Sequence, residues 1–282
     1  MHKDMIESID HLIIAVKNLD EAESNYQKIF GLPPVWKGEH KKLGTRNSIF
    51  NFSNTYLELL SVNGNGTGAD FVSKVLSDRG EGLCGIALGT NDIEKIRTEL
   101  RQKSFTDIHL SVGEGEDKKN SKFRRWKNLF LPAELTRGLF AFAIEHFEGE
   151  LPIADAGASG IGKLDHVVIN TSDANKFIET YRDFFKIRLA LDTIIEHWGH
   201  RMLFFRVNKT TLEVIEKSDR GNNDDRLWGL AWEVENLEAA CERLILEGVE
   251  VSKIKNGLKK NTRVATIKSH IHNVPTMLIQ HS

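Results

Sequence analysis

The sequence predicts an α+β fold: four βαβββ units, paired into two cup-shaped mixed-sheet domains. Three observations predict it. Ser8-Ile9-Asp10-His11-Leu12-Ile13-Ile14-Ala15-Val16 is rewritten as Lys163-Leu164-Asp165-His166-Val167-Val168-Ile169-Asn170-Thr171, with the histidines 155 positions apart (11 to 166). Glu58 in Tyr56-Leu57-Glu58-Leu59-Leu60 and Glu213 in Thr211-Leu212-Glu213-Val214-Ile215 keep the same offset (58 to 213). A fainter copy of the same pattern follows each of these units. Internal repeats of this kind define an architecture more firmly than local propensity does.

The first unit opens with the His11 strand. Leu19, Ala22, Tyr26, Ile29 and Phe30 then recur at helical spacing, and Gly31 supplies a residue that tolerates φ > 0 as a stop. Pro33-Pro34 forces extended chain. Strands are expected at Val35–Gly38, Asn47–Phe52 and Thr55–Val62, with Asn54 in the turn between the last two. Asn63 to Gly68 reads as a loop, and Ala69 to Leu76 as a helix.

The second unit has a first strand at Gly82–Leu88 and a helix over Asp92–Gln102, with Ile93, Ile96 and Leu100 on one face. The charged run Gly113 to Lys122 reads as an exposed hairpin loop, followed by strands at Phe123–Phe130 and Leu139–Phe147. Aligning this unit on the first puts Gly85 in the place of His11 and Glu145 in the place of Glu58.

Glu148 to Gly162, rich in glycine, reads as the boundary. The expected domains are therefore 1–150 and 163–282, joined by a linker at 151–162. The third unit repeats the first: the His166 strand, a helix from Asp173 to Phe185, and strands at Ala190–Ile195, Met202–Val207 and Thr211–Glu216. Ser218 to Asp225 is a polar linker. The fourth unit has strand Leu227–Val234, helix Leu237–Glu247 stopped by Gly248, and strands Val249–Ile254, Thr262–Lys268 and Thr276–Gln280. Here Gly229 takes the His place and Gln280 the Glu place.

Composition narrows the function. With 38 Lys plus Arg against 40 Asp plus Glu, the net charge of −2 gives no electrostatic footprint for nucleic acid. No apolar run approaches the ~18 residues needed to cross a bilayer. The polar N-terminus lacks the apolar stretch of a secretory signal. Cys84 and Cys241 form neither a disulfide framework nor a paired-cysteine metal motif. The expectation is a cytoplasmic protein with a small-molecule substrate, with no nucleic-acid or membrane partner, and with a homodimer left open.

Strand parity gives the site its chemistry. Leu12, Ile14 and Val16 are uniformly apolar and suit the helix-covered face, so His11 turns the other way. By the same parity Glu58 turns away from Leu57 and Leu59. A carboxylate among leucines is costly unless paired or ligated. Imidazole with carboxylate suits Zn²⁺, Ni²⁺, Mn²⁺, Fe²⁺ or Co²⁺. A half-buried His–Glu ion pair without a metal satisfies the same pattern, because duplication copies structural pairs as readily as ligands.

At Asp10-His11-Leu12, Asn18-Leu19-Asp20, Gly44-Thr45-Arg46-Asn47-Ser48 and Tyr56-Leu57-Glu58-Leu59, the sequence resembles the vicinal oxygen chelate superfamily of glyoxalases, extradiol dioxygenases and resistance proteins, in its glyoxalase-like branch. The second half resembles the glyoxalase/dioxygenase type from Leu164-Asp165-His166 to Leu212-Glu213-Val214. The resemblance implies metal ligands His11, Glu58 and Glu145, with a weaker second set of His166, Glu213 and Gln280. It implies Glu145 or Glu58 as the proton-moving carboxylate. It implies a divalent metal-dependent lyase or isomerase acting on neighbouring oxygens. A metal-free binding or resistance protein is the alternative, and an extradiol-type dioxygenase the second. Gly85 and Gly229 depart from the family pattern, leaving three ligands where glyoxalases show four.

Lesser candidates complete the reading. Arg46 and Asn47 could hold a substrate carboxylate or simply start a strand. Arg124-Arg125-Trp126 offers an anion clamp or a solvated edge. His197 and His200 flank Trp198 in a hairpin, and His270 and His272 alternate without a third partner.

Overall fold

The computed structural model describes residues 5–117, 122–196, 199–217 and 224–282 of the chain. Its strands are β1 (Ser8–Ala15), β2 (Trp36–His40), β3 (Thr45–Asn51), β4 (Tyr56–Val62), β5 (Gly82–Gly89), β6 (Leu110–Asp117), β7 (Lys122–Phe130), β8 (Ala141–Glu148), β9 (Ile161–Thr171), β10 (Arg188–Ile195), β11 (His200–Val207), β12 (Thr210–Glu216), β13 (Arg226–Val234), β14 (Lys255–Asn256), β15 (Thr262–Ile267) and β16 (Thr276–His281). The helices are α1 (Leu19–Phe30), α2 (Thr67–Arg79), α3 (Ile93–Gln102), α4 (Ala133–Thr136), α5 (Ala174–Ile178) and α6 (Leu237–Leu246).

The expected fold class is the one found. Two eight-stranded mixed sheets run in the orders β2-β3-β4-β1-β5-β8-β7-β6 and β10-β11-β12-β9-β13-β16-β15-β14. The two orders are the same, so the 155-residue repeat is a repeat of topology. The second, third and fourth βαβββ units put the first strand beside the last, in parallel, with the helix as the crossover, and in the first unit β1 likewise neighbours β4.

Local chemistry explains the elements. Asn18 caps α1, its Oδ1 accepting from the Asp20 and Glu21 amides, and Gly31 ends it at φ +70°. Asp92 and Asn236 cap α3 and α6 in the same manner. Leu12, Ile14 and Val16 are fully buried, as their uniform apolarity requires.

By packing, the chain falls into two compact bodies. One comprises Met1–Leu12, Gly85–Glu150 and His166–Trp228, and the other Ile13–Cys84, Leu151–Asp165 and Gly229–Ser282. In the first, Phe177 stacks on Tyr181 at 4.1 Å and both contact Phe205. In the second, Phe30 meets Phe50, Phe52 and Trp232 edge-on, a fully buried aromatic centre.

Three segments differ from expectation. The charged run from Gly113 is mostly strand β6, and residues 118–121 lie outside the described residues. Pairing with β7, rather than burial, holds this edge: Val112 is 69% exposed. Gly113 is needed there, because a Cβ would stand 2.4 Å from the Trp126 indole. The expected strand Val249–Ile254 is reduced to the bridge Val251 to Ile267 and the short β14. The helix expected over 173–185 is α-helical only to Ile178 and continues as a π-helix over Glu179–Phe184. No helix among the described residues is long and apolar enough to cross a membrane.

Candidate functional site

His166 and Glu213 face each other from neighbouring strands. β9 and β12 pair in parallel with Val168 opposite Glu213, which brings His166 Nε2 within 3.6 Å of Glu213 Oε2. That is too long for a good hydrogen bond and short enough for one ion to touch both. Both side chains are largely covered, His166 at 12% and Glu213 at 19% exposure.

In the first half, His11 is buried on β1 with Nδ1 2.7 Å from Asp10 Oδ1, and its ring meets Phe142 edge-on at 5.5 Å. Glu58 is buried on β4, and its Oε1 accepts from Asn47 Nδ2 at 2.7 Å. Arg46, the next residue along β3, turns to the helix, with Nη2 3.4 Å from Asp20 Oδ2. Asn47 therefore shares Glu58's face, and Arg46 does not.

Glu145 and Gln280 each accept from a backbone amide. The Ile93 amide donates to Glu145 Oε2 at 2.9 Å, the Ala174 amide to Glu216 Oε1 at 2.8 Å, and the Leu237 amide to Gln280 Oε1 at 2.9 Å. These are the first residues of α3, α5 and α6, so all three side chains satisfy a helix N-terminus. Lys127 Nζ lies 3.8 Å from Glu145 Oε1, and Arg263 Nη2 donates to Gln280 at 2.9 Å.

Strand register confirms the equivalence. Ala87 faces Phe142, Val168 faces Glu213 and Ala231 faces Met277. In each pair the first residue stands six positions before its helix. The counterparts of Glu213 are thus Phe142 and Met277. Glu145 and Gln280 are counterparts of Glu216, three residues further on. Gly85 and Gly229 do hold the His places, eight positions before α3 and α6.

Residues 9–185 match the family model described as Glyoxalase-like domain. The chain belongs to the glyoxalase-like domain family. Residues 165–266 of the same chain match the model described as Glyoxalase/Bleomycin resistance protein/Dioxygenase superfamily. The resemblance to vicinal oxygen chelate proteins therefore holds in both halves. No curated protein sequence matches the chain.

Solved structures agree on the fold. A 4-hydroxymandelate synthase mutant from Streptomyces coelicolor aligns with TM-score 0.69 and 13% identity, over 98% of this chain and 93% of that one. The Mn(II)-bound glyoxalase from Novosphingobium aromaticivorans aligns with TM-score 0.66 and 14% identity, over 99% and 83%. A hypothetical protein from Staphylococcus aureus gives 0.64 and 13%, over 97% and 99%. At these identities the likeness establishes the fold alone.

The glyoxalase-like chain also carries an Asp–His dyad twice. His146 Nε2 lies 3.0 Å from Asp10 Oδ2, and His281 Nε2 lies 2.6 Å from Asp165 Oδ2. Burial acts to raise the Asp10 carboxyl, yet hydrogen bonds to His11 and His146 hold it well below the usual carboxylate range. In the second half a third donor joins. Asp165, Glu233 and His281 each offer one ligand atom within 4.8 Å of the others. The reading from single residues misses this set. The signal lies in aligning the second and fourth units, where His146 and His281 each follow their capping residue by one position. Of the lesser candidates, His197 lies outside the described residues. His272 is held by Glu81 at 2.9 Å and Asn25 at 3.1 Å, and stacks on Tyr26.

Proposed function

We propose that the chain is a divalent-metal-dependent enzyme of the glyoxalase type, carrying out lyase or isomerase chemistry on a small substrate with neighbouring oxygens. The observation that carries this is the His166–Glu213 pair, written again in sequence as His11 and Glu58. An imidazole nitrogen and a carboxylate oxygen at 3.6 Å fit a borderline divalent cation. When bound, such an ion supplies Lewis-acid polarisation of substrate oxygens. His166 and its copy His11 would hold it through the ring nitrogen.

Glu213, or Glu58 in the first half, takes a proton from the substrate carbon at a carboxylate oxygen and returns it. Asn47 fixes the Glu58 carboxylate by its bond to Oε1. Glu145, expected as a third ligand, would have to give up the Ile93 amide to join, so the reading rests on the His166–Glu213 pair.

Metal-stripped protein titrated with Zn²⁺, Ni²⁺, Mn²⁺, Fe²⁺ or Co²⁺ tests it. His166→Ala or Glu213→Ala should abolish binding of at least one ion. Wild-type-like metal binding in both variants and in His11→Ala and Glu58→Ala would sink the proposal.

A second reading is favoured by Phe142 and Met277. Aromatic and thioether side chains in the family's carboxylate places suit a cleft that holds a ligand by contact rather than by chelation, as in a metal-free binding or resistance protein. It predicts ligand-induced thermal stabilisation that survives chelator and survives His11→Ala.

A further inference from the structure

Asp165 lies on β9, Glu233 on β13 and His281 on β16. His281 Nε2 is 2.6 Å from Asp165 Oδ2 and 3.6 Å from Glu233 Oε2. The three side chains are 18%, 27% and 30% exposed, so the cluster is anchored in the sheet yet open to water on one side. We infer that Asp165, Glu233 and His281 form a divalent-cation site, different in every ligand from the His166–Glu213 pair and independent of the functional reading built on it.

The donor chemistry supports an ion. Two carboxylates and a neutral imidazole give an N/O set of charge −2, suited to Zn²⁺, Mn²⁺, Fe²⁺, Co²⁺ or Ni²⁺. Three protein donors with one open side is the pattern of sites that keep a position for water or substrate.

The first half shows what the dyad looks like without the third donor. Asp10 and His146 pair at 3.0 Å, and Gly89 stands where the second half has Glu233. The registers match: Gly89 faces Ile144 and Glu233 faces Ile279, each two residues before the histidine. A Cβ at Gly89 would come 2.3 Å from Ser8 Oγ, so a side chain there would require that hydroxyl to turn away. The Asp–His pair therefore needs no second carboxylate, and Glu233 adds a negative charge beside it.

That charge already attracts a cation. Lys163 Nζ sits 2.9 Å from Glu233 Oε2, with its side chain 34% exposed. A lysine ammonium on a flexible stem is a point charge that can swing to water when a divalent ion arrives. Lys163 is thus the competitor, and removing it should strengthen ion binding.

The full chain, stripped by chelator and titrated with Zn²⁺ or Mn²⁺ alone in a calorimeter, tests the site. Glu233→Gln and His281→Ala should each weaken one ion at least tenfold, Lys163→Met should tighten it several-fold, and Asp10→Asn and His146→Ala should leave it unchanged. Circular dichroism and thermal midpoints of the ion-free variants show that they fold. The inference is overturned if wild type takes up no ion, or if Glu233→Gln and His281→Ala both bind as wild type does. His166→Ala is titrated alongside. Loss confined to His166→Ala overturns this site and spares the functional proposal. Loss confined to Glu233→Gln and His281→Ala supports this site and removes His166 from the functional proposal.

Discussion

Phe142 and Glu213 occupy the same place in two copies of one repeat. Phe142 faces Ala87 across β8 and β5, as Glu213 faces Val168 across β12 and β9. The first-half residue presents a ring to His11 at 5.5 Å, where the second-half residue presents a carboxylate to His166 at 3.6 Å. Replacing the ring by a carboxylate should therefore build a ligand next to His11. Phe142→Glu is expected to raise the affinity of the first half for Zn²⁺ at least tenfold, measured in a His166→Ala background. Without metal it should lose on the order of 2–4 kcal/mol, because a buried carboxylate replaces an aromatic contact. Saturating metal should restore part of that loss. No gain in Zn²⁺ affinity would refute the counterpart relation as a statement about ligands.

Glu145 should matter for stability and not for metal. It accepts from the first amide of α3, the position Gln280 serves in α6. Glu145→Ala is expected to cost about 1 kcal/mol in urea unfolding, as loss of a helix cap does. Glu145→Gln should recover most of it, since an amide oxygen does the same job at Gln280. Metal stoichiometry should stay at the wild-type value in both variants. A drop in bound metal in Glu145→Gln, with the fold intact, would return Glu145 to the ligand set.

The fold was legible because it is repeated. One strand-helix-strands pattern read weakly at Gly82–Leu88 became firm when the His11 and His166 units framed it. Burial periodicity also gave the sides of β1 and β4. The register of β8 was not legible. Ala143-Ile144-Glu145-His146 looks like Tyr56-Leu57-Glu58-Leu59 in pattern, and a three-residue slip keeps a carboxylate in the same column. The pairing of Ala87 with Phe142 and the hydrogen bond to Ile93, made by residues 52 positions apart, separate a cap from a ligand. β6 was missed for a related reason: alternation of Gly and Glu carries no apolar signal, and its pairing with β7 supplies the strand.

Arg243 should tolerate no lysine. Its guanidinium donates to the Ile29 carbonyl at 2.8 Å and the Ser159 carbonyl at 3.1 Å, and also reaches the Lys28 carbonyl. It therefore closes the C-terminus of α1, whose last carbonyls have no partner within the helix. Burial pulls its pKa down, but a guanidinium stays charged at any working pH. Arg243→Lys keeps the charge and loses the fork, and is expected to destabilise by roughly 2–3 kcal/mol, close to Arg243→Ala. Urea midpoints of the two variants decide it. If lysine behaves like wild type, charge near the helix end rather than the forked geometry is what counts.

Asp225 has a fully covered side chain. Arg137 Nε approaches both carboxylate oxygens, at 3.1 and 3.2 Å, and the Asp225 amide donates to the Arg137 carbonyl at 2.7 Å. Burial pushes the Asp225 carboxyl up to about 6, against the pull of Thr171 and Arg137, which favour the charged form. The folded state then binds a proton more tightly than the unfolded chain, whose carboxyl sits near 3.8. Stability from this group is fully present below the unfolded value and is lost as pH rises through about 6. Asp225→Asn removes the titration and keeps the side chain neutral at every pH, as protonated Asp225 is, so the variant should be at least as stable as wild type at pH 7. Other carboxylates titrate in both proteins and cancel in the comparison. Wild type should therefore gain stability relative to Asp225→Asn as pH falls from about 7 to about 4, by up to about 3 kcal/mol. Paired urea titrations across that range measure it. A difference that is constant, or that moves against wild type on acidification, would mean that Arg137 holds Asp225 charged in the folded state down to its ordinary range.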